Sequence, residues 1–129
     1  MRFARARNER GQTMTEFAVV LPVLVLVLFA IMQFGIAFNN YLTLTDAVRA
    51  GARTGAVSRR AADPTSATVT RVRTAGGDLN QSDLNVTVTS TWQPGSDVTV
   101  RATYPYSISL FGLVVKSGNL VSQVVERVE

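Results

Sequence analysis

Residues 17–38 read FAVVLPVLVLVLFAIMQFGIAF, and this stretch decides how the chain is organised. Nineteen of its 22 residues are apolar; the exceptions are Pro22, Gln33 and Gly35. No charged residue lies between Glu16 and Asp46. At ~1.5 Å per residue, such a helix reaches about 33 Å, which matches a ~30 Å hydrocarbon core. A helix apolar on every side needs either a large protein core or a bilayer around it. The other 107 residues are only about 39% hydrophobic, too few to wrap it, so the stretch reads as a membrane span.

Upstream, residues 1–11 (MRFARARNERG) hold Arg2, Arg5, Arg7 and Arg10 against Glu9, a net +3. No comparable basic cluster follows the span. This asymmetry places the N-terminus in the cytoplasm and everything past about residue 40 outside the inner membrane. The whole chain carries 13 Lys+Arg and 9 Asp+Glu, for a formal +4. Its basic pI of about 10.3 is therefore mostly a topology signal and makes no case for nucleic acid. Removing residues 1–11 would leave 9 basic and 8 acidic side chains, from 13 − 4 and 9 − 1. A secretory signal cut near Ala37, after the small-x-small run Gly35-Ile36-Ala37, is a competing reading; the apolar stretch exceeds the usual ~7–15 residues of such signals.

There is no Cys and no His. Disulfides, Cys/His zinc sites, thiol nucleophiles, Ser–His triads and imidazole chemistry are thereby excluded. Asp78 and Asp83 flank a polar loop and read as turn or capping residues. No phosphate loop, dinucleotide glycine pattern or calcium loop is present. The expectation is a protein without enzymatic activity, cofactor, metal or small-molecule substrate. The triplets Asn80-Gln81-Ser82 and Asn85-Val86-Thr87 match the glycosylation acceptor, a pattern common by chance.

At the entrance to the span stands Gly11-Gln12-Thr13-Met14-Thr15-Glu16-Phe17, and Glu16-Phe17-Ala18-Val19-Val20-Leu21-Pro22 continues it. A second block, Ala47-Val48-Arg49-Ala50-Gly51-Ala52-Arg53, follows the span. Together these resemble the TadE-like family of the Flp (tight adherence) type IV pilus system, over roughly Gly11 to Arg53. The resemblance implies a pseudopilin or minor pilin, cut by a prepilin peptidase between Gly11 and Gln12. It implies as partners that peptidase, the inner-membrane assembly platform, a major Flp pilin and sister pseudopilins. The alternative is an uncleaved single-pass anchor that displays a small adhesion domain.

Physical chemistry supports a role for the same residues. Gly11 gives a protease access to backbone. A carboxylate at the edge of an apolar helix is costly unless neutralised. Pairing of Glu16 with a neighbour's new N-terminal amine would fix the register of assembling helices, because a displaced helix buries an unpaired charge. Glu16 is also expected in the first helical turn, where the helix dipole favours an anion; the competing reading leaves it among lipid headgroups. Pro22 removes one backbone bond and is expected to kink the helix, either for extraction from the bilayer or as a tolerated membrane proline.

The helix is expected to continue to about Val57. Ala47, Gly51 and Gly55 recur every four residues and make a stripe of small residues, packed on this chain's own outer domain or on another subunit. Arg49 and Arg53 repel modestly at i,i+4 and read as a solvated face or a subunit contact.

Residues 58–129 are expected to form a small α+β domain, mainly antiparallel β. Asp63-Pro64 reads as a helix start and Gly76-Gly77 as its end, with Val69, Val72 and Ala75 inward, although the valines and threonines there also suit a strand. Leu84–Trp92 and Asp97–Tyr104 alternate in polarity around the turn Gln93–Ser96 and predict a hairpin. The hairpin is expected to pack on the long helix and to present threonines to water. In Leu120–Glu129 the residues Leu120, Val121, Val124, Val125 and Val128 also fit a helix stripe, but the valine density favours a strand. Tyr104-Pro105-Tyr106 reads as a turn at the strand end, or else as an aromatic contact patch. The fold class is α+β: a long N-terminal helix running into a small antiparallel domain, in three segments, 1–11, 12–57 (span 17–38) and 58–129.

Overall fold

The computed structural model describes residues 5–129, with side chains from Gly11 onward; Arg2 and the rest of residues 1–4 lie outside the described residues. The chain is a long helix α1 (Arg5–Val57), a short helix α2 (Pro64–Ala75), and strands β1 (Asn85–Ser90), β2 (Asp97–Leu110) and β3 (Leu113–Arg127). The strands form one antiparallel meander in the order β1-β2-β3. The layout is the α+β arrangement expected from the sequence.

The outer half of α1 buries Leu44, Ala47, Val48, Ala52 and Ala56, together with Gly51 and Gly55. These recur at three- and four-residue intervals and so share one face. Against this face sit Val72 of α2, Val98, Val100 and Ala102 of β2, the loop residues Leu79 and Leu84, and Val128. The segment 58–129 therefore has no separate core: its buried apolar side chains close on residues 44–56 of α1.

Helix α2 starts and stops where its signals lie. The Asp63 carboxylate accepts from the Ser66 amide at 3.0 Å, Pro64 opens the helix, and the Gly76 amide donates to the Val72 carbonyl at 2.9 Å. Its inward residues differ from the expected stripe. Thr68 and Val72 are buried, Val69 is half-buried and Ala75 is exposed. Threonine can occupy the inner row because its hydroxyl bonds back to the Pro64 carbonyl at 2.8 Å, so no polar group is stranded.

Strands β1 and β2 pair from Asn85↔Thr103 to Ser90↔Val98. Their outer face carries Thr87, Thr89, Thr99, Arg101 and Thr103, as alternation requires. The linking turn has Pro94 and left-handed Gly95 (φ 79) at its centre, and the Ser96 amide donates to the Gln93 carbonyl at 2.9 Å; a left-handed third position is what such a turn demands. Trp92 also has positive φ (56), which ends β1 and lays the indole against the core.

Two expectations about the C-terminal third are corrected. Tyr104-Pro105-Tyr106 is not a turn: it lies inside β2, which continues to Leu110. Pro105 falls beyond the last β1 pair, where β2 has a free edge and a missing N–H disrupts no ladder. The last strand begins at Leu113 rather than at Leu120. It pairs with β2 from Leu110↔Leu113 to Asp97↔Arg127, with one irregularity near Ile108 and Ser109. Phe111 (φ 51) and Gly112 (φ 83) form the two-residue turn, and two successive left-handed residues match the twist of a tight hairpin.

Beyond β3, the Val128 amide donates to the Ser96 carbonyl at 2.8 Å and the Glu129 amide to the Ala56 carbonyl at 2.9 Å. The second bond caps one of the last carbonyls of α1 and ties the chain end to the end of the long helix.

Candidate functional site

The site is the inner half of α1 and its entrance. From Gly11 to Leu42 only Val25, Gln33, Ala37 and Asn40 are partly covered; every other residue is exposed. Among the described residues α1 is the one helix long and apolar enough to cross a membrane. Its most apolar 18-residue window has a mean hydropathy of 2.8, and none of that window is buried. Exposed Phe17, Val20, Val23, Leu26, Met32 and Ile36 point in all directions around the helix axis, so no face is reserved for water. Bare apolar surface on this scale marks a membrane or protein contact.

At the entrance Gly11 is helical and open, with nothing within 4 Å of where a Cβ would stand. The Thr15 hydroxyl donates to the Gly11 carbonyl at 2.8 Å. The Gln12 side-chain amide donates to Glu16 Oε1 at 3.2 Å. A carboxylate has two oxygens and about four acceptor positions, so this bond leaves capacity for a cation. Phe17 is exposed beside it. Because α1 begins at Arg5, Glu16 lies about three turns inside the helix. The expectation of a first-turn position fails for the intact chain, in which residues 5–10 are themselves helical. It would hold only for a chain starting at Gln12, where Glu16 would be fifth.

Helical structure runs through Pro22 without a break. Proline has no N–H for the carbonyl four residues back, so the Ala18 carbonyl loses its usual donor.

The small-residue stripe packs within the chain. A Cβ at Gly51 would collide with Val72 Cγ2 and stand 3.4 Å from the Thr68 carbonyl oxygen. One at Gly55 would lie 3.1 Å from both Thr68 Oγ1 and Val98 Cγ2. Ala47 lies against Gly76, whose added Cβ would be 3.4 Å away. Glycine here buys close approach of α1 to α2 and β2. Arg49 faces outward, 3.7 Å from Asp46, with both side chains more than half exposed; such a pair contributes little. Arg53 lines a shallow depression with Val57, Glu126, Arg127 and Glu129.

One part of the surface was not singled out from sequence. The β2–β3 hairpin runs back along α1. Gln33 Nε2 donates to the Ser109 carbonyl at 3.2 Å, and the rings of Phe29 and Phe111 lie 5.8 Å apart, tilted by 53°. Between hairpin and helix lies an open groove of about 550 Å³, lined by Phe34, Ala37, Phe38 and Tyr41 on one side and Tyr106, Ile108 and Lys116 on the other. The available signal was the alternation Tyr106, Ile108, Leu110 leading to Phe111-Gly112. The Tyr104 hydroxyl accepts from the Asn80 amide at 3.3 Å, and Tyr106 covers Gly118, so these tyrosines serve the fold.

Among the described residues, no three His, Cys, Asp or Glu side chains are grouped to hold a metal ion. Residues 11–53 match the family model described as TadE-like protein, a family of the Flp, or tight-adherence, pilus system. No curated protein and no solved structure matches the chain. The family match spans the entrance motif, the bare helix and the small-residue stripe, and it stops before α2.

Proposed function

Taking the TadE-like segment as premise, we propose that the chain is a pseudopilin or minor pilin of a Flp-type pilus. It is made as an inner-membrane precursor with its N-terminus in the cytoplasm and its sheet outside, and a prepilin peptidase cuts it after Gly11. The freed helix then joins the assembly platform, the major Flp pilin and sister pseudopilins, in the filament or at its base. The observation that carries this reading is the division of α1. Residues 44–56 are consumed by the fold, while most of the matched segment's inner part is left bare, ready to exchange lipid for neighbouring helices.

The chemistry at the entrance follows. Cleavage turns the Gln12 nitrogen into an ammonium group. A neighbour's ammonium reaching Glu16 neutralises a carboxylate that the apolar interior of a helix bundle would otherwise penalise. The Gln12 side chain holds one Glu16 oxygen in the free protein, so the carboxylate is already oriented before a partner arrives.

The second reading is an uncleaved anchor displaying a small binding domain. What favours it is the helix running from Arg5 through Gly11, because proteases prefer backbone freed from such hydrogen bonding. The glycine is where that helix is weakest, by roughly 0.5–1 kcal/mol relative to alanine.

Intact mass and N-terminal sequencing of the protein from its native membrane separate the readings. An N-terminus at Gln12 supports the pilin reading, Met1 the plain anchor, and one near Phe38 a secreted protein. Glu16→Ala is expected to insert into the membrane and to be processed, yet to block assembly. Normal pili from that variant would refute the charge-pairing role.

A further inference from the structure

The tip of the β2–β3 hairpin breaks two local rules together. Phe111 occupies a left-handed position (φ 51) where Asn, Asp or Gly is the low-strain choice. It is also largely exposed, at 74%, beside Leu113 at 75%, Val114 and Val115. A strained, apolar, uncovered turn conflicts with folding in water alone, and such conflicts mark functional places. Among the described residues the ring contact of Phe111 is with Phe29.

The height of the tip along α1 indicates what covers it. Phe29 is 12 residues past Phe17, where the apolar stretch begins, or about 18 Å along the helix axis. In a ~30 Å hydrocarbon core this puts the Phe29 level about 12 Å below the far boundary. Phe111 contacts that level. Lys116 is four residues from Gly112, about 13 Å at ~3.3 Å per residue. The first charge on the ascending strand therefore emerges at the boundary itself, beside Tyr41 and Tyr106 in the groove. Tyrosines and a lysine reaching outward are the side chains favoured at that level. The distance along the helix and the distance along the strand agree.

We propose that residues 110–115 are a lipid-inserted wedge: the hairpin tip sits among the acyl chains of the leaflet nearest the sheet, with Lys116 at the headgroup phosphates. The open strand edges oppose deep insertion, since lipid supplies no partners for backbone groups. The two-residue turn keeps the inserted segment short, and the Gln33 amide satisfies the Ser109 carbonyl. The wedge rests on the membrane-spanning reading of α1, and it adds a second point of membrane attachment that orients the sheet beside the helix.

The absence of cysteine allows a direct test in the full chain. Single-cysteine variants Phe111→Cys, Leu113→Cys, Ile31→Cys and Gln93→Cys are labelled with an environment-sensitive fluorophore and reconstituted in phosphatidylglycerol–phosphatidylcholine vesicles containing acyl-chain quenchers. Near-ultraviolet dichroism of Trp92 confirms the fold of each variant. Labels at 111 and 113 are expected to be quenched within about twofold of the label at Ile31, which shares their depth, while the label at 93 responds only to an aqueous quencher. Quenching at 31 with aqueous exposure at 111 and 113 overturns the wedge and spares the span; loss of quenching at 31 as well overturns both. Labels at 111 and 113 that resist lipid and aqueous quenchers alike mean that a second copy covers the tip, which also overturns the proposal.

Discussion

Gly51→Ala sets two forces of opposite sign against each other. Alanine is the better helix former by about 1 kcal/mol, so local propensity alone predicts a more stable protein. Packing predicts the reverse. The new methyl would collide with Val72 Cγ2 and stand 3.4 Å from the Thr68 carbonyl. Val72 is fully buried and, as a helical valine, has essentially one side-chain rotamer. Relief therefore requires α2 to move, and α2 is also held at Gly55, where Thr68 and Val98 close the space. Overpacking of this kind costs about 1–3 kcal/mol; with neighbours this confined the upper part of that range applies. The net loss is about 1–2 kcal/mol, or roughly 4–16 °C in Tm for a domain of this size. Full-length protein in detergent micelles, melted while the near-ultraviolet signal of Trp92 is followed, gives the measurement. Gly35→Ala is the control, because nothing lies within 4 Å of its added Cβ, so propensity acts alone and its Tm should hold or rise. Adding Val72→Ala to Gly51→Ala should recover part of the loss, with a coupling of about 0.5–3 kcal/mol. A Tm for Gly51→Ala equal to or above the parent, or no coupling with Val72, would refute the close approach of α1 and α2.

Other substitutions probe other joints by the same melt. Asp63→Ala removes the bond to the Ser66 amide and should cost about 1 kcal/mol. Deleting Val128 and Glu129 removes a buried valine, worth about 1.5–3 kcal/mol, and the cap on Ala56; an unchanged Tm would mean the chain end is not docked. Gly112→Val forces a β-branched residue into a left-handed position (φ 83) and should cost about 1–3 kcal/mol, with faster amide exchange at 108–116 than at 97–103. Phe111→Asn suits the turn better, so the melt in micelles should hold or rise slightly while hairpin contact with lipid falls.

What was legible in the sequence had short-range causes. Asp63-Pro64 and Gly76-Gly77 bracket α2 because caps act within one turn, and alternation from Leu84 onward gives β1 because the pleat has period two. Misreadings arose where a distant partner decided the outcome. Pro105 looks like a strand terminator, yet β1 has already ended beside it, so its missing N–H meets no neighbour. The start of β3 at Leu113 was hidden because Lys116-Ser117-Gly118-Asn119 is poor in strand formers; Tyr106 on the opposite strand pairs with Gly118 and covers it. Ala75 fits an apolar stripe, yet the stripe is set by the glycines of α1, which admit the row containing Thr68 and Val72. The entrance motif was legible as a pattern; its Gln12–Glu16 bond needed coordinates, and so did the continuation of α1 through Gly11.

The strand β3 begins beside Phe29 and ends beside Ala56, running in the same direction as α1 for about 40 Å of helix. A pull along the helix axis, as in drawing a subunit out of a bilayer, therefore loads the whole seam between helix and hairpin sideways and at once. The Gln33–Ser109 bond, the Phe29–Phe111 contact and the Glu129–Ala56 bond lie at intervals along that seam and share the strain. A head attached only at Val57 would hang from one flexible joint and could swing or unravel under tension. This one is clasped to its shaft along about half the shaft's length, so traction on the helix moves helix and head as a single body.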